Sequence, residues 1–245
     1  MHSARQAKRH IRRSMSNDAR VAITAVLLDC LGTLLRMEPP APRLRRELAA
    51  LGYDVPTEAA EAAIAAEIAY YLEHHVEGRD ASSLAELRNR CAAVVLESLE
   101  LTGLSVEAAR SALLAAVRFE PYPDAAPALR ELRERGLRLV VASNWDSSLR
   151  DVLAEAGLET LLDDVVTSAA VGATKPDRRV FDAAVGAADR PAAETVHVGD
   201  SPGNDVAGAR AAGLRAVLVQ RSDSPLTGVD APVIRTLGDL PALLI

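Results

Sequence analysis

Aromatic residues make up only 3% of the 245-residue chain, with one tryptophan, two phenylalanines and four tyrosines. A core must therefore be filled by small and branched aliphatics, and the sequence is rich in alanine, leucine and valine. Cysteine is scarcer still. Cys30 and Cys91 stand far apart without metal-type spacing, which argues against a disulfide framework or a zinc site and suits a reducing cytoplasm. No apolar run reaches the roughly 18 residues that span a bilayer, so no membrane partner is expected. Cations are in deficit, 28 Lys and Arg against 34 Asp and Glu for a formal net charge of −6, and an acidic body disfavours nucleic acid as the main partner. The exception is residues 1–20, where Arg5, Lys8, Arg9, Arg12, Arg13 and Arg20 face Asp18 alone. That stretch has no apolar segment of a secretory signal. It is expected to be a disordered basic arm, with Met15 as an alternative start.

What remains is the composition of a soluble globular protein, 49% hydrophobic and 25% charged, long enough for one domain and a modest insertion. The first core signal is Ile23-Thr24-Ala25-Val26-Leu27-Leu28, closed by Asp29. So short and continuous an apolar run reads as a strand buried on both faces of a parallel sheet. Similar runs recur at 137–142, 164–168, 195–198 and 215–219. Between them lie amphipathic stretches near 124–135, 147–156, 177–188 and 204–212, with Gly136, Gly157 and Gly213 at expected helix ends. Strand and helix in alternation predict an α/β fold, a Rossmann-like doubly wound parallel sheet. Residues 43–118 break the alternation. They read as helix only and are too long for a crossover, so they are expected to form an inserted helical cap subdomain. The core domain would then be 21–42 and 119–245, with the cap over the strand ends where open α/β sheets bind ligands.

Chemistry-bearing residues cluster at those strand ends. Asp29-Cys30-Leu31-Gly32-Thr33 closes the first strand and Ser143-Asn144 the second. Lys175-Pro176 follows the third, and Gly199-Asp200-Ser201-Pro202-Gly203-Asn204-Asp205 closes the fourth. A carboxylate can attack phosphorus or carbon to form a covalent intermediate. A hydroxyl and a lysine can hold and neutralise a transferring group. Aspartates are the hard oxygen donors that Mg²⁺ prefers.

In order and spacing these four motifs resemble those of the haloacid dehalogenase-like (HAD) hydrolase superfamily, in the subgroup with a helical cap between the first and second motifs. The resemblance implies that Asp29 is the nucleophile. It implies that Asp29, the Leu31 carbonyl and Asp200 bind Mg²⁺, with Asp205 holding a coordinating water. Ser143, Thr33, Asn144 and Lys175 would surround the phosphoryl oxygens, with Ser143 and Lys175 catalytic alongside Asp29. The activity implied is a cytoplasmic Mg²⁺-dependent phosphatase of a small phosphorylated metabolite, acting through an aspartyl-phosphate. Either a monomer or a homodimer is compatible with the sequence.

One position departs from that pattern. Family phosphatases usually carry a second aspartate two residues after the nucleophile, as general acid and base, and here it is Leu31. Leucine cannot transfer a proton, and such help is typically worth about 10²–10⁴ in rate. Three readings stay open: a phosphatase with its acid elsewhere or a good leaving group, a 2-haloacid dehalogenase-like displacement, and a catalytically weak phosphate-binding or regulatory protein. Retention of Asp200 with Asp205 favours the first. A substitute acid is sought in the cap, where Tyr70 and Tyr71 stand at i,i+4 from His74 and His75. A neutral-range histidine makes His74 or His75 the candidates, with Arg79 as an anion binder. Trp145 is expected either to stack on substrate or to pack, and Cys30 to pack.

Overall fold

The computed structural model describes residues 22–222 and 228–244. The basic arm expected over 1–20 lies outside the described residues. In chain order the strands are β1 (Ala25–Leu28), β2 (Leu35–Met37), β3 (Phe119–Pro121), β4 (Arg138–Ser143), β5 (Asp164–Thr167), β6 (Thr195–Gly199), β7 (Arg215–Val219) and β8 (Val233–Ile234). Six of them form one sheet in the order β5-β4-β1-β6-β7-β8, and every pairing within it is parallel. The fold is α/β and Rossmann-like, a doubly wound parallel sheet. The five expected strands are all present. The short edge strand β8 carried too little apolar sequence to announce itself.

Alternation along the strands splits the core into two layers. Ala25 and Leu27 of β1 join Val140, Ala142 and Phe181 on one face, while Val26, Leu28 and Cys30 join Leu139, Val141, Leu129 and Trp145 on the other. Both faces are closed by helices that follow the four helices of the insertion, α1 (Pro40–Ala50), α2 (Thr57–His74), α3 (Ala81–Ser98) and α4 (Val106–Ala116). Helix α5 (Ala125–Glu134) buries Ala125, Ala128, Leu129 and Leu132, the three-and-four spacing of a single apolar stripe. After α6 (Leu149–Glu155) and the single turn α7 (Ser168–Val171), helix α8 (Arg178–Ala188) buries Val180, Phe181, Ala184 and Ala188 against the opposite face.

The helix expected over 204–212 takes a different form. Residues Pro202–Ala207 wind as a wider π-helical turn before α9 (Gly208–Ala211), and α10 (Leu240–Leu243) ends the described chain. Such wide turns often mark functional sites. Here Asp205 and Val206 both donate their backbone N–H groups to the Ser201 carbonyl, and Asp205 ends up buried.

The helices α1 to α4 have an apolar cluster of their own, including Leu44, Leu48, Ile64, Leu87, Val95 and Leu113. Asp80 starts α3 with a reciprocal cap, accepting from the Ser82 and Ser83 amides at 3.0 and 2.9 Å while Ser83 Oγ accepts from the Asp80 amide. The chain leaves and re-enters through the antiparallel pair β2–β3, crossed by Arg36 and Glu120 at 2.9 Å. This pair was not foreseen, because three-residue strands carry no periodicity to read. At the other end of the insertion, the Tyr71 hydroxyl donates to Asp146 Oδ2 at 2.9 Å and the Ser147 amide donates to the Gly78 carbonyl at 2.8 Å. No helix among the described residues is long and apolar enough to cross a membrane.

Candidate active site

The strand order turns back at β1, whose neighbours are β4 on one side and β6 on the other. Crevices of open parallel sheets form at such switch points, beyond the carboxyl ends of the strands. Asp29 follows β1 directly, its amide donating to the Val198 carbonyl of β6 at 2.9 Å. The chain then folds back tightly, with the Leu34 and Leu35 amides on the Cys30 carbonyl and the Gly32 amide on the Leu35 carbonyl. Gly32 has φ +85°, and a Cβ there would lie 2.1 Å from Asp200 Oδ2. Only glycine lets this loop pass so close to the β6 end.

Three elements converge on the Asp29 carboxylate. Lys175 Nζ donates to Asp29 Oδ1 and to Asp205 Oδ1, each at 2.6 Å. Ser143 Oγ, from the last residue of β4, donates to the same Asp29 Oδ1 at 3.1 Å. Asp205 accepts further from the Ser201 amide and from His197 Nε2, both at 2.9 Å. Ligand oxygens of Asp29, Asp200 and Asp205 lie within 4.8 Å of one another.

Burial and mutual repulsion set the ionisation. Burial pushes the Asp29 carboxyl up, opposed by Lys175 and reinforced by Asp205. For Asp205 burial is outweighed by Lys175 and His197, which hold its carboxyl below the usual range. Burial also opposes the Lys175 charge, but the two carboxylates win and raise its affinity for a proton. Asp200 is exposed and has no hydrogen-bonded cation among the described residues, and desolvation with the charges of Asp29 and Asp205 pushes its carboxyl up to about 7. Three carboxylates thus share one ammonium. The unpaired Asp200 and the hard oxygen donors fit a small divalent cation such as Mg²⁺.

The remaining expected residues make no side-chain hydrogen bond to the Asp29, Lys175, Asp200 or Asp205 side chains among the described residues. Asn144 spends its amide on the Lys175 backbone, accepting from its N–H at 2.7 Å and donating to its carbonyl at 3.1 Å, so it orients the lysine loop. Thr33 is fully buried and its hydroxyl has no hydrogen-bond partner among the described residues. Leu31 is 40% exposed. His74 stacks on Tyr70 at 4.1 Å between ring centroids and donates from Nδ1 to the Tyr70 carbonyl. His75 is buried, donates from Nδ1 to the Leu72 carbonyl, and has no hydrogen-bond partner at Nε2 among the described residues. Neither histidine hydrogen-bonds to Asp29, Lys175, Asp200 or Asp205 among the described residues. Arg79 is exposed at the turn before α3, with Nε 3.5 Å from the Val76 carbonyl. Trp145 packs in the core with Phe119 at 4.9 Å, so of its two expected uses packing holds.

His197 and Arg221 escaped the sequence reading. His197 sits in β6 with Phe181 edge-on at 5.2 Å, and its only sequence signal is a polar side chain between the valines of a buried strand. Arg221 reaches the Gly32 and Thr33 carbonyls from a loop 189 and 188 residues away, a contact that leaves no local mark.

Fold and pocket together define a hydrolase in which a carboxylate, a hydroxyl, a lysine and an acidic pair meet at one sheet edge. Residues 23–213 match the family model of the haloacid dehalogenase-like hydrolases, and the chain belongs to that family. It is similar to a phosphoserine phosphatase of Thermus thermophilus, 40% identical over 152 residues that make up 60% of this chain and 61% of that protein. Curated relatives are matched over 36% to 61% of their own length. Among solved structures, a HAD phosphatase from Thermococcus onnurineus superposes with TM-score 0.62 at 26% identity, over 91% of this chain and 98% of the other. A 2-haloacid dehalogenase from Pseudomonas syringae pv. tomato superposes with TM-score 0.66 at 25% identity, over the same shares.

Proposed function

We propose that the chain is a Mg²⁺-dependent phosphatase of a small phosphorylated metabolite. The observation that carries this reading is the shared environment of Asp29, anchored through Oδ1 by Lys175 and Ser143 with Asp200 and Asp205 alongside. Asp29 Oδ2 has no hydrogen-bond partner among the described residues, and it is the oxygen that attacks. It bonds to phosphorus as the ester P–O bond breaks, and the electron pair leaves with the alcohol oxygen. Water then attacks the phosphorus of the aspartyl-phosphate, releasing orthophosphate and restoring Asp29. Lys175 and Ser143 hold the carboxylate and meet the transferred oxygens. Asp29, Asp200 and the Leu31 carbonyl would hold Mg²⁺, with Asp205 behind a bound water. The ion when bound supplies charge neutralisation for the transferred group.

Leu31 stands where most family phosphatases have an acid. Substrates with good leaving groups are therefore favoured, since these depart without a proton. Residues 43–118 act as the cap that excludes water and selects substrate. The Tyr70/His74 pair and Arg79 are its candidate contacts to the substrate, while His75 is buried and Tyr71 is bonded to Asp146, and the cytoplasm is the setting that suits two free thiols.

A screen of phosphorylated metabolites and aryl phosphates, with and without Mg²⁺ and beside Asp29→Asn, tests the reading. Expected is Mg²⁺-dependent phosphate release that falls to background in Asp29→Asn. Metal-independent chloride release from a 2-haloacid would transfer the protein to the dehalogenase reading. Tight phosphate binding without turnover would make it a binding protein.

A further inference from the structure

The loop that carries Asp29 is gripped from outside the pocket. Arg221, just beyond β7, donates from Nε to the Gly32 carbonyl at 3.2 Å and from Nη2 to the Thr33 carbonyl at 2.6 Å. The same guanidinium forms a two-point pair with Asp124, Nη1 to Oδ2 and Nη2 to Oδ1, both at 3.1 Å. Its carbon lies 3.6 Å from the centroid of the Tyr122 ring. Asp124 is itself tied down, accepting from Thr236 Oγ1 at 2.6 Å and from the Leu237 amide at 2.8 Å. With Arg221 and Thr236 on it, its carboxyl lies below the usual range although burial works the other way.

Three stretches remote in sequence therefore meet at one planar cation. They are the Asp29 loop, the segment where the chain returns from the insertion, and the strand ends at the sheet edge. The grip acts on the peptides that matter for the pocket. Gly32 already approaches Asp200 with no room for a Cβ, so a small tilt of the 32–33 peptide moves the Leu31 carbonyl and Asp29 relative to Asp200 and Lys175. A planar fork can satisfy two carbonyls and a carboxylate together, which the single point charge of lysine cannot.

We infer that Arg221 is a positioning residue for the nucleophile loop, holding the Gly32 and Thr33 carbonyls through a fork braced by Asp124 and Tyr122. This rests on the phosphatase reading for its kinetic consequence, though not for the grip itself. The competing account is that Arg221 only anchors the chain that follows β7.

The test compares Arg221→Lys with Thr236→Val, which cuts the brace to the later chain without touching the loop. For Arg221→Lys we expect kcat on the best aryl phosphate to fall about tenfold or more, with KM within about twofold, because small misplacements of reacting groups cost rate far more than affinity. Amide exchange in a peptide covering 29–36 should accelerate while one covering β4 does not. Thr236→Val should keep kcat within about twofold of the parent. If Arg221→Lys retains the parent kcat, or if Thr236→Val loses as much, the inference is overturned. Should the parent hydrolyse no phosphate ester, the phosphatase reading fails by itself. Exchange over 29–36 then decides the grip, and unchanged exchange in Arg221→Lys overturns it. Arg221→Gln, read the same way, serves if Arg221→Lys does not fold.

Discussion

Asp200 sits among like charges, and its titration has a sign that can be worked out. Its folded carboxyl is pushed up to about 7 from an ordinary 3.8 by desolvation, Asp29 and Asp205. Between about pH 4 and pH 7 the folded protein therefore holds a proton that the unfolded chain has released. Rising pH favours unfolding across that window, and above it the penalty stays constant. Asp200→Asn removes the group, so in EDTA at pH 8 the variant should melt above the parent, with the difference vanishing near pH 4. Added Mg²⁺ should raise the parent's melting temperature and leave the variant's unmoved; equal melting of both proteins at pH 8 in EDTA would refute the charge argument. At this scale Asp29, Ser143, Lys175 and Asp205 were legible because each lies within a contiguous motif. Asn144 was legible as a polar residue of its motif, whereas its bonds to the Lys175 backbone were not, since they span 31 residues.

The turn after β1 is the element most sensitive to a single methyl group. Gly32→Ala meets two costs, a left-handed φ worth roughly 1–2 kcal/mol and a collision with Asp200. Gly157 follows α6 with φ +69° and open space around a Cβ, so Gly157→Ala carries the first cost alone. Both variants should lose stability, with Tm lower by about 2–4 °C per kcal/mol for a chain of this size. Only Gly32→Ala should also lose Mg²⁺-dependent turnover beyond what its stability explains, and full activity in Gly32→Ala would contradict the close approach. The periodic elements α5 and α8 and the five aliphatic strands were legible at this scale. The β2–β3 pair and the wide turn at 202–207 were not, because three-residue strands and an extra residue per turn leave no repeating pattern.

Across the whole molecule, the insertion meets the sheet domain away from its β2–β3 stem through Tyr71, Asp146 and Gly78. Asp146 is buried and receives Ser148 at Oδ1 by both its amide and its hydroxyl, leaving Oδ2 to Tyr71. Burial, with Asp146 beside it, pushes the Tyr71 phenol well up, so it remains a donor. Tyr71→Phe strands a buried carboxylate oxygen, at a cost of about 1–3 kcal/mol. Thermal unfolding should register that loss. With the insertion acting as the proposed cap, KM for the best phosphorylated substrate should rise, because its helices are held less firmly; a variant with parental Tm and KM would show that the joint carries no load.

Local order alone determined much of this protein. Hydrophobic runs of strand length, helical stripes between them and four short motifs at the strand ends specify a parallel α/β sheet and the residues that gather at its carboxyl edge, since those signals lie in neighbours along the chain. Only the tertiary structure decided that Lys175 bridges Asp29 and Asp205, that His197 backs Asp205, that Arg221 grips the Gly32–Thr33 turn and that His75 faces inward. Those contacts join residues up to 189 positions apart, and hydrogen bonds depend on separations in space that spacing along a chain does not encode.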